Sequence, residues 1–363
     1  ERHYMLPPEA RLPDLVPWVE EQLYFVLHAP RQTGKTTAMR AFAARLRQAG
    51  YVAVWATLET SQGLTEIADA EPMWLRAIAR EANHQLPSEA RPPVATAAIG
   101  GNPGDRLCGW LTDWAAAVQS PIVLLLDEAD VVSGPALVSL LRQLRAGFAS
   151  RGRGRFPVSV GLIGMRDLRD YLTQAKDGSS LNPGSPFNIK AGSLTLRNFS
   201  HADVALLYAQ HTADTGQIFT PEAVDRAYWW TSGQPFLVNA LARQAVMVEV
   251  PARAEPITAA HIDAAKEALV LARTTHLDAL GQRLKEPRVA RIVQTVLLGD
   301  ANVPYDSDDF GYTVDLGLIA DQKSGAIIAN PLYREVLARQ LAYDTQRNLP
   351  EPWWRWSRSD GTL

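Results

Sequence analysis

Apolar residues follow two different patterns along the chain, and the change comes near residue 200. Up to that point, compact apolar runs alternate with stretches of helical periodicity. YFVLHA (24–29), YVAVWATL (51–58), PIVLLLDEAD (121–130), FPVSVGLIGMRD (156–167) and GSLTLRNF (192–199) read as buried strands, rich in β-branched, aliphatic or aromatic residues. Between the first two, GKTTAMRAFAARLRQAG sets Ala38, Ala41, Phe42 and Leu46 at helical spacing, with Arg45 on the basic face and Gly50 as a stop. Helices are also predicted from Pro72 to Gln85 and over PALVSLLRQLRAGFASR, with PSEARPPVATAAIGGNPGD as an intervening loop. Strands that are apolar on both faces and joined through helices predict a parallel sheet covered on both sides.

From Ser200 the periodicity is helical. SHADVALLYAQHT opens on Ser200 as N-cap, and TPEAVDRAYWWTSG has Thr220 as cap, Pro221 in the first helical position and Gly233 past the end. QPFLVNALARQAVMVEV and ITAAHIDAAKEALVLAR complete a four-helix region in which Tyr228, Trp229 and Trp230 are expected in the core. RVARIVQTVLLG and NPLYREVLARQLAYD flank a hairpin, LGLIADQKSGAIIAN, which predicts a small winged-helix module. The domain reading is an arm over 1–23 with a short helix near Leu15–Gln22, an α/β domain over 24–199, a helical lid over 200–275, a winged-helix-like domain over 276–350 and a tail over 351–363.

Composition narrows the function classes. The 363 residues are 47% hydrophobic and 21% charged, which is ordinary for a globular protein of two or three domains. A net charge of −3 gives no global electrostatic attraction to nucleic acid or anionic membrane. One cysteine, Cys108, excludes an intrachain disulfide and a cysteine-based metal site, and fits a cytoplasmic location. No apolar run approaches the roughly 18 residues of a membrane span. The charged, proline-rich start lacks a signal-peptide core, and the aromatic tail LPEPWWRWSRSDGTL is expected either to fold back or to lead into a further effector domain.

Three segments carry phosphate chemistry, in order. APRQTGKT departs from the P-loop pattern G-x-x-x-x-G-K-[ST] only in Ala29 for the first glycine. A strand before and a helix after would aim the amides of the loop and the helix dipole at an anion. In that reading Ala29, Pro30, Arg31, Gln32, Thr33, Gly34, Lys35, Thr36 and Thr37 line the nucleotide, Lys35 reaches the outer phosphates and Thr36 binds Mg²⁺. The bland alternative is a glycine turn beside an exposed lysine. The second segment is VLLLDEAD, whose strand tip carries Asp127 for the metal and Glu128 to polarise the attacking water; otherwise it is a solvated helix cap. The third is VGLIGMRDLRDY, whose Arg166 either senses the terminal phosphate or pairs with Asp167 or Asp170.

Taken together, APRQTGKTT, VLLLDEAD, GMRDLRDY and TSGQPFLVNALA resemble AAA-type P-loop ATPases of the STAND and archaeal-ATPase groups. The resemblance implies an α/β P-loop NTPase domain followed by a helical lid and a winged helix, with ATP or ADP and Mg²⁺ as cofactors. It also implies that Gly233, Gln234 and Pro235 open a lid helix near the adenine. No arginine matches a finger motif, and Arg142, Arg145, Arg151, Arg153 and Arg155 remain candidates. The function implied is a slowly hydrolysing nucleotide switch coupled to a protein partner, to self-association or to an effector domain. Two alternatives stand beside it: a DNA-associated ATPase using its winged helix, and a nucleotide-binding module without turnover. The helix NPLYREVLARQLAYD is nearly neutral, with Arg334 and Arg339 against Glu335 and Asp344, which disfavours strong DNA binding.

Overall fold

Five strands form one parallel sheet: β1 (Tyr24–His28), β2 (Val52–Thr57), β3 (Ile122–Asp127), β4 (Ser159–Gly164) and β5 (Lys190–Thr195), in the order β2-β3-β4-β1-β5. The computed structural model describes residues 4–7, 11–12, 14–95, 101–150, 156–165, 190–272, 275–299, 303–305, 307–322 and 325–347. The chain divides into two units, Glu1–Asn198 and Phe199–Leu363.

In the first unit the strand alternation builds two cores. Tyr24, Val26, Val54 and Leu124 face α3 (Ile67–Gln85), α4 (Arg106–Ala117) and α5 (Gly134–Ser150), against Trp74, Trp114 and Leu141. Phe25, Leu27, Trp55 and Leu125 face the opposite layer, where α1 (Leu15–Glu20) and α2 (Lys35–Gln48) supply Leu15, Met39 and Phe42. A strand buried on both sides has no polar face, which is why each reads as a continuous apolar run.

Two helical features differ from expectation. α4 lies within RLCGWLTDWAAAVQS, just past the Pro/Gly-rich loop, where no helix is predicted; its buried Leu107, Trp110, Leu111 and Trp114 make an i, i+3, i+4, i+7 stripe. α3 begins five residues before Pro72, the start that the sequence pattern predicts. A proline there leaves the carbonyl four residues back without its helical partner, and Arg106 Nη1 supplies a donor to Ala68 O at 3.2 Å.

The second unit opens with α6 (His201–Thr215), α7 (Pro221–Thr231), α8 (Pro235–Gln244, continued by a π turn to Glu249) and α9 (Ala259–Leu271). The Ser200 and Thr220 caps form as their residue types require: Ser200 makes a capping box with Asp203, and Thr220 accepts from the Ala223 amide. α10 (Thr275–Arg283), α11 (Pro287–Leu298), α12 (Asp308–Asp315), the antiparallel pair β6 (Ile319–Gln322) and β7 (Gly325–Ile328), and α13 (Pro331–Arg347) follow. α10 and α12 have no counterpart among the elements predicted from sequence. Lys266 on α9 is buried between Glu267 (2.5 Å) and Glu335 of α13 (3.0 Å), with its Nζ 4.4 Å from the Trp230 ring centroid.

The expectation that all three aromatics of α7 lie in the core is corrected for Trp229, which is 53% exposed. The buried stripe is Ala223, Ala227 and Thr231, and position 229 falls on the far side of it. Gly233 has φ +72, and a Cβ there would sit 1.8 Å from the Phe199 carbonyl oxygen. Only glycine fits this crossing, where Phe199 N donates to Gly233 O at 2.8 Å.

Candidate phosphate-binding site

The sheet order places β1 beside β4, with β2, β3 and β4 to one side and β5 to the other. The crevice beyond the strand tips at this reversal is where open parallel sheets bind ligands. A cleft of about 400 Å³ lies there, lined by Arg31, Gln32, Gly34, Lys35, Thr36, Glu59, Gln62, Glu128 and Val131.

The loop from Ala29 to Gly34 closes tightly onto the start of α2. Gly34 has φ +85 and the first helical bond runs from Ala38 N to Gly34 O, so the amides of Lys35, Thr36 and Thr37 precede the helical ladder. Thr33 is buried and its hydroxyl donates to Pro30 O at 2.9 Å. Gln32 has φ 60, a left-handed conformation for a non-glycine residue. Ala29 is fully buried, and its amide donates to Gly164 O at 3.3 Å, so it forms the floor of the loop and presents no N–H to the cleft. Ala29 is not among the residues with positive φ, so the backbone does not require the glycine of the usual pattern.

Lys35 is buried and its Nζ donates to Ala29 O (2.7 Å) and Pro30 O (2.9 Å). Burial lowers its pKa, while the carboxylates of Glu128, Asp127 and Asp130 act the other way. Thr36 Oγ1 donates to Asp127 Oδ2 at 2.6 Å, which leaves the lone pairs of the hydroxyl for a cation. A hydroxyl and a carboxylate are hard oxygen ligands that suit Mg²⁺, a cation usually held by one or two carboxylates together with substrate phosphates. Among the described residues no group of three or more His, Cys, Asp or Glu side chains is placed to hold a metal by itself.

Glu128 follows β3 with φ 54 and ψ 38, and its amide donates to Asp127 Oδ1 at 3.0 Å. Its pKa is raised by burial first, then by Asp130 and Asp127, with Lys35 and Arg31 opposing. A carboxylate raised in this way is a stronger base than a solvated one, which suits it to accept a proton. Asp130 accepts from the Met165 amide at 2.9 Å, and a Cβ on Gly164 would meet its carboxyl carbon at 2.9 Å. The tips of β3 and β4 are therefore held together.

The structure thus brings Arg31, Gln32, Gly34, Lys35, Thr36 and Glu128 to one cleft, with Asp127 buried behind it on Thr36 and Ala29 and Thr33 buried in the loop beneath. Arg166, with Arg169, Arg151, Arg153 and Arg155, lies outside the described residues. Pro235 belongs to the second unit, where it is the buried first residue of α8 and Gln234 Oε1 caps the Leu237 amide at 2.6 Å. His28 sits at the tip of β1 with Nε2 3.2 Å from Thr195 Oγ1, a structural pairing. Cys108 is half-buried and burial pushes its thiol pKa up, away from nucleophilic chemistry.

Sequence reasoning missed Arg11, Trp55, Glu59 and Gln62. Arg11 is 7% exposed; its guanidinium donates to Thr33 O (2.9 Å) and, from Nε, to Arg197 O (3.0 Å). An irregular, charged arm gives no reason to expect a buried arginine braced on the phosphate loop. Arg11→Ala should leave both carbonyls without their donor and cost about 1–3 kcal/mol, read as a lower denaturant midpoint. An unchanged midpoint would remove the brace.

A parallel sheet with this reversal, a glycine-lysine-threonine loop after β1 and acids at the tip of β3 defines a P-loop NTPase fold. Residues 19–172 match the family described as an AAA domain. The chain is similar in structure to the Walker-type ATPase Paby2304 of Pyrococcus abyssi (TM-score 0.63, 16% identity, covering 92% of this chain and 96% of that one). It is also similar to the Aeropyrum pernix ORC1 protein in complex with DNA (TM-score 0.50, 14% identity, covering 95% of each chain). At these identities the likeness is one of fold, an AAA-domain P-loop ATPase fold. No curated protein matches the sequence. Among the described residues no helix is long and apolar enough to cross a membrane.

Proposed function

We propose that the chain binds and hydrolyses ATP as an AAA-type molecular switch, coupling its nucleotide state to a partner or effector. The observation that carries this reading is the 2.6 Å bond from Thr36 to Asp127 at the mouth of a loop that also holds Lys35. In this reading the amides of Lys35 to Thr37 and the Lys35 ammonium bind phosphate oxygens, exchanging the Ala29 and Pro30 carbonyls for ligand. Thr36 and Asp127 hold Mg²⁺, which when bound polarises the phosphoryl oxygens and neutralises developing charge. Glu128, with its raised pKa, orients the attacking water and takes its proton. Asp127 keeps Glu128 in place through the bond to its amide.

Lys35→Ala removes a buried cation from the lining of the cleft. It should weaken ATP binding by at least about tenfold, one charge-assisted hydrogen bond being worth about 1.5–3 kcal/mol. Equilibrium binding of a fluorescent ATP analogue measures this, and equal affinity in the variant and the parent would overturn the reading.

The fold likeness to a DNA-bound relative raises DNA as a second partner class. The observation that weighs against it is in α13. Arg339 is engaged by Glu335 and by Glu267, so among the described side chains of this helix Arg334 is the exposed basic one without such a pairing. A salt-dependent anisotropy titration with duplex DNA decides this point.

A further inference from the structure

Trp55 bonds the acid at the tip of β3. It sits on the outermost strand, β2, paired with Leu125; two residues on, Thr57 pairs with Asp127. Trp55 and Asp127 therefore share a sheet face as diagonal neighbours, within reach of a long side chain. The indole is 4% exposed, and a buried Trp N–H normally finds an acceptor. Its acceptor is Asp127 Oδ2, at 3.2 Å, the same oxygen that takes the Thr36 hydroxyl at 2.6 Å. With the Glu128 amide on Oδ1 at 3.0 Å, three donors fix the carboxylate.

The tryptophan is itself held. Gln85 of α3 bonds both sides of its backbone, accepting from Trp55 N (3.1 Å) and donating to Trp55 O (2.7 Å). Gln85 thereby occupies the free edge of β2 at this residue. The Arg40 guanidinium lies 4.0 Å from the ring centroid, a cation–π contact that covers the indole. A core position that needed only apolar volume would take leucine or phenylalanine; the indole adds a donor aimed at the acid.

We propose that Trp55 is a positioning residue for the divalent cation: its indole N–H holds the Asp127 carboxylate in the orientation that, with the Thr36 hydroxyl, receives Mg²⁺ alongside a bound nucleoside triphosphate. This rests on the nucleotide-binding reading. Partners that orient metal ligands typically account for 10–100-fold in metal affinity.

The test uses the full chain and a fluorescent ATP analogue, titrated first in EDTA and then with MgCl₂. Trp55→Phe should leave affinity in EDTA unchanged and raise the Mg²⁺ concentration at half-effect by about tenfold or more. Asp127→Asn should shift the same midpoint, as a control for the metal site. An unchanged Mg²⁺ midpoint in folded Trp55→Phe overturns the proposal. So does a parallel loss of affinity in EDTA, which marks a packing role alone. If Trp55→Phe fails to fold by circular dichroism, benzothienylalanine incorporated at position 55 decides between the same outcomes. That residue keeps the indole shape and puts sulfur in place of N–H. Failure of the underlying reading has a different signature: the parent protein binds no analogue, or Lys35→Ala binds it as well as the parent, and the proposal falls with it.

Discussion

Glu128→Gln is expected to lower ATP hydrolysis by about 10²–10⁴-fold, the usual share of a positioned proton acceptor, while nucleotide affinity is retained. The amide keeps the size of the side chain and one acceptor oxygen but cannot take the proton of the attacking water. Phosphate release measured under single-turnover conditions reports the loss, and equal rates would end the catalytic role. The same variant has a second readout that does not depend on ATP. Burial and the nearby Asp130 and Asp127 raise the Glu128 pKa, so the charged form is disfavoured in the folded state. A carboxyl raised above its unfolded value contributes most favourably below that unfolded value, and this contribution is lost as pH rises through the raised folded value. Glutamine mimics the neutral form throughout. The variant should therefore melt higher than the parent at neutral pH, with the difference closing as pH falls below the ordinary glutamate range. Melting curves that differ equally at all pH values would remove desolvation as the cause.

Gly233→Ala should be among the most damaging single changes in the second unit. Two effects add. The residue has φ +72, where an L side chain is strained by about 1–2 kcal/mol. Its new methyl would also sit 1.8 Å from a backbone oxygen, Phe199 O, which no side-chain rotation can clear. The expected destabilisation is about 4 kcal/mol or more, visible as faster hydrogen exchange across the Phe199–Gly233 crossing. Gly216→Ala is the matched control, with φ +78 and no atom within 4 Å of the new methyl. It should show the strain alone. Similar losses in the two variants would mean that the crossing tolerates a side chain.

The strands were legible because burial on both faces erases polar alternation, leaving runs such as VLLLD that neither a half-exposed strand nor an amphipathic helix would carry. The caps at Ser200 and Thr220 were legible for a local reason: a hydroxyl three residues ahead of the amide it accepts from. α4 was not, because the Pro- and Gly-rich segment before it masked a short helix whose apolar stripe is made mostly of tryptophan and leucine. The start of α3 was hidden by Pro72, whose cost is offset by Arg106 from another helix, a contact far away in sequence. At the cleft, Lys35, Thr36, Asp127 and Glu128 announce themselves by residue type and spacing. Arg11 and Trp55 do not, since each acts through a partner supplied only by the fold. For Trp55 one clue existed, a tryptophan in a strand otherwise made of small and β-branched residues, whose N–H had to find an acceptor.

Gln32 and Glu128 line the same cleft and are both non-glycine residues in the left-handed region, at φ 60 and φ 54. Such a conformation costs roughly 1–3 kcal/mol per residue and persists where the surroundings impose it. Heat selection acting on this chain would find a ready gain at these two positions, where glycine relaxes the backbone. On the proposed reading of the cleft as a site of ATP turnover, selection for turnover would oppose it, since glycine discards the side chain that the strained backbone displays. Thermostability and the proposed turnover would then pull a lineage of variants in opposite directions.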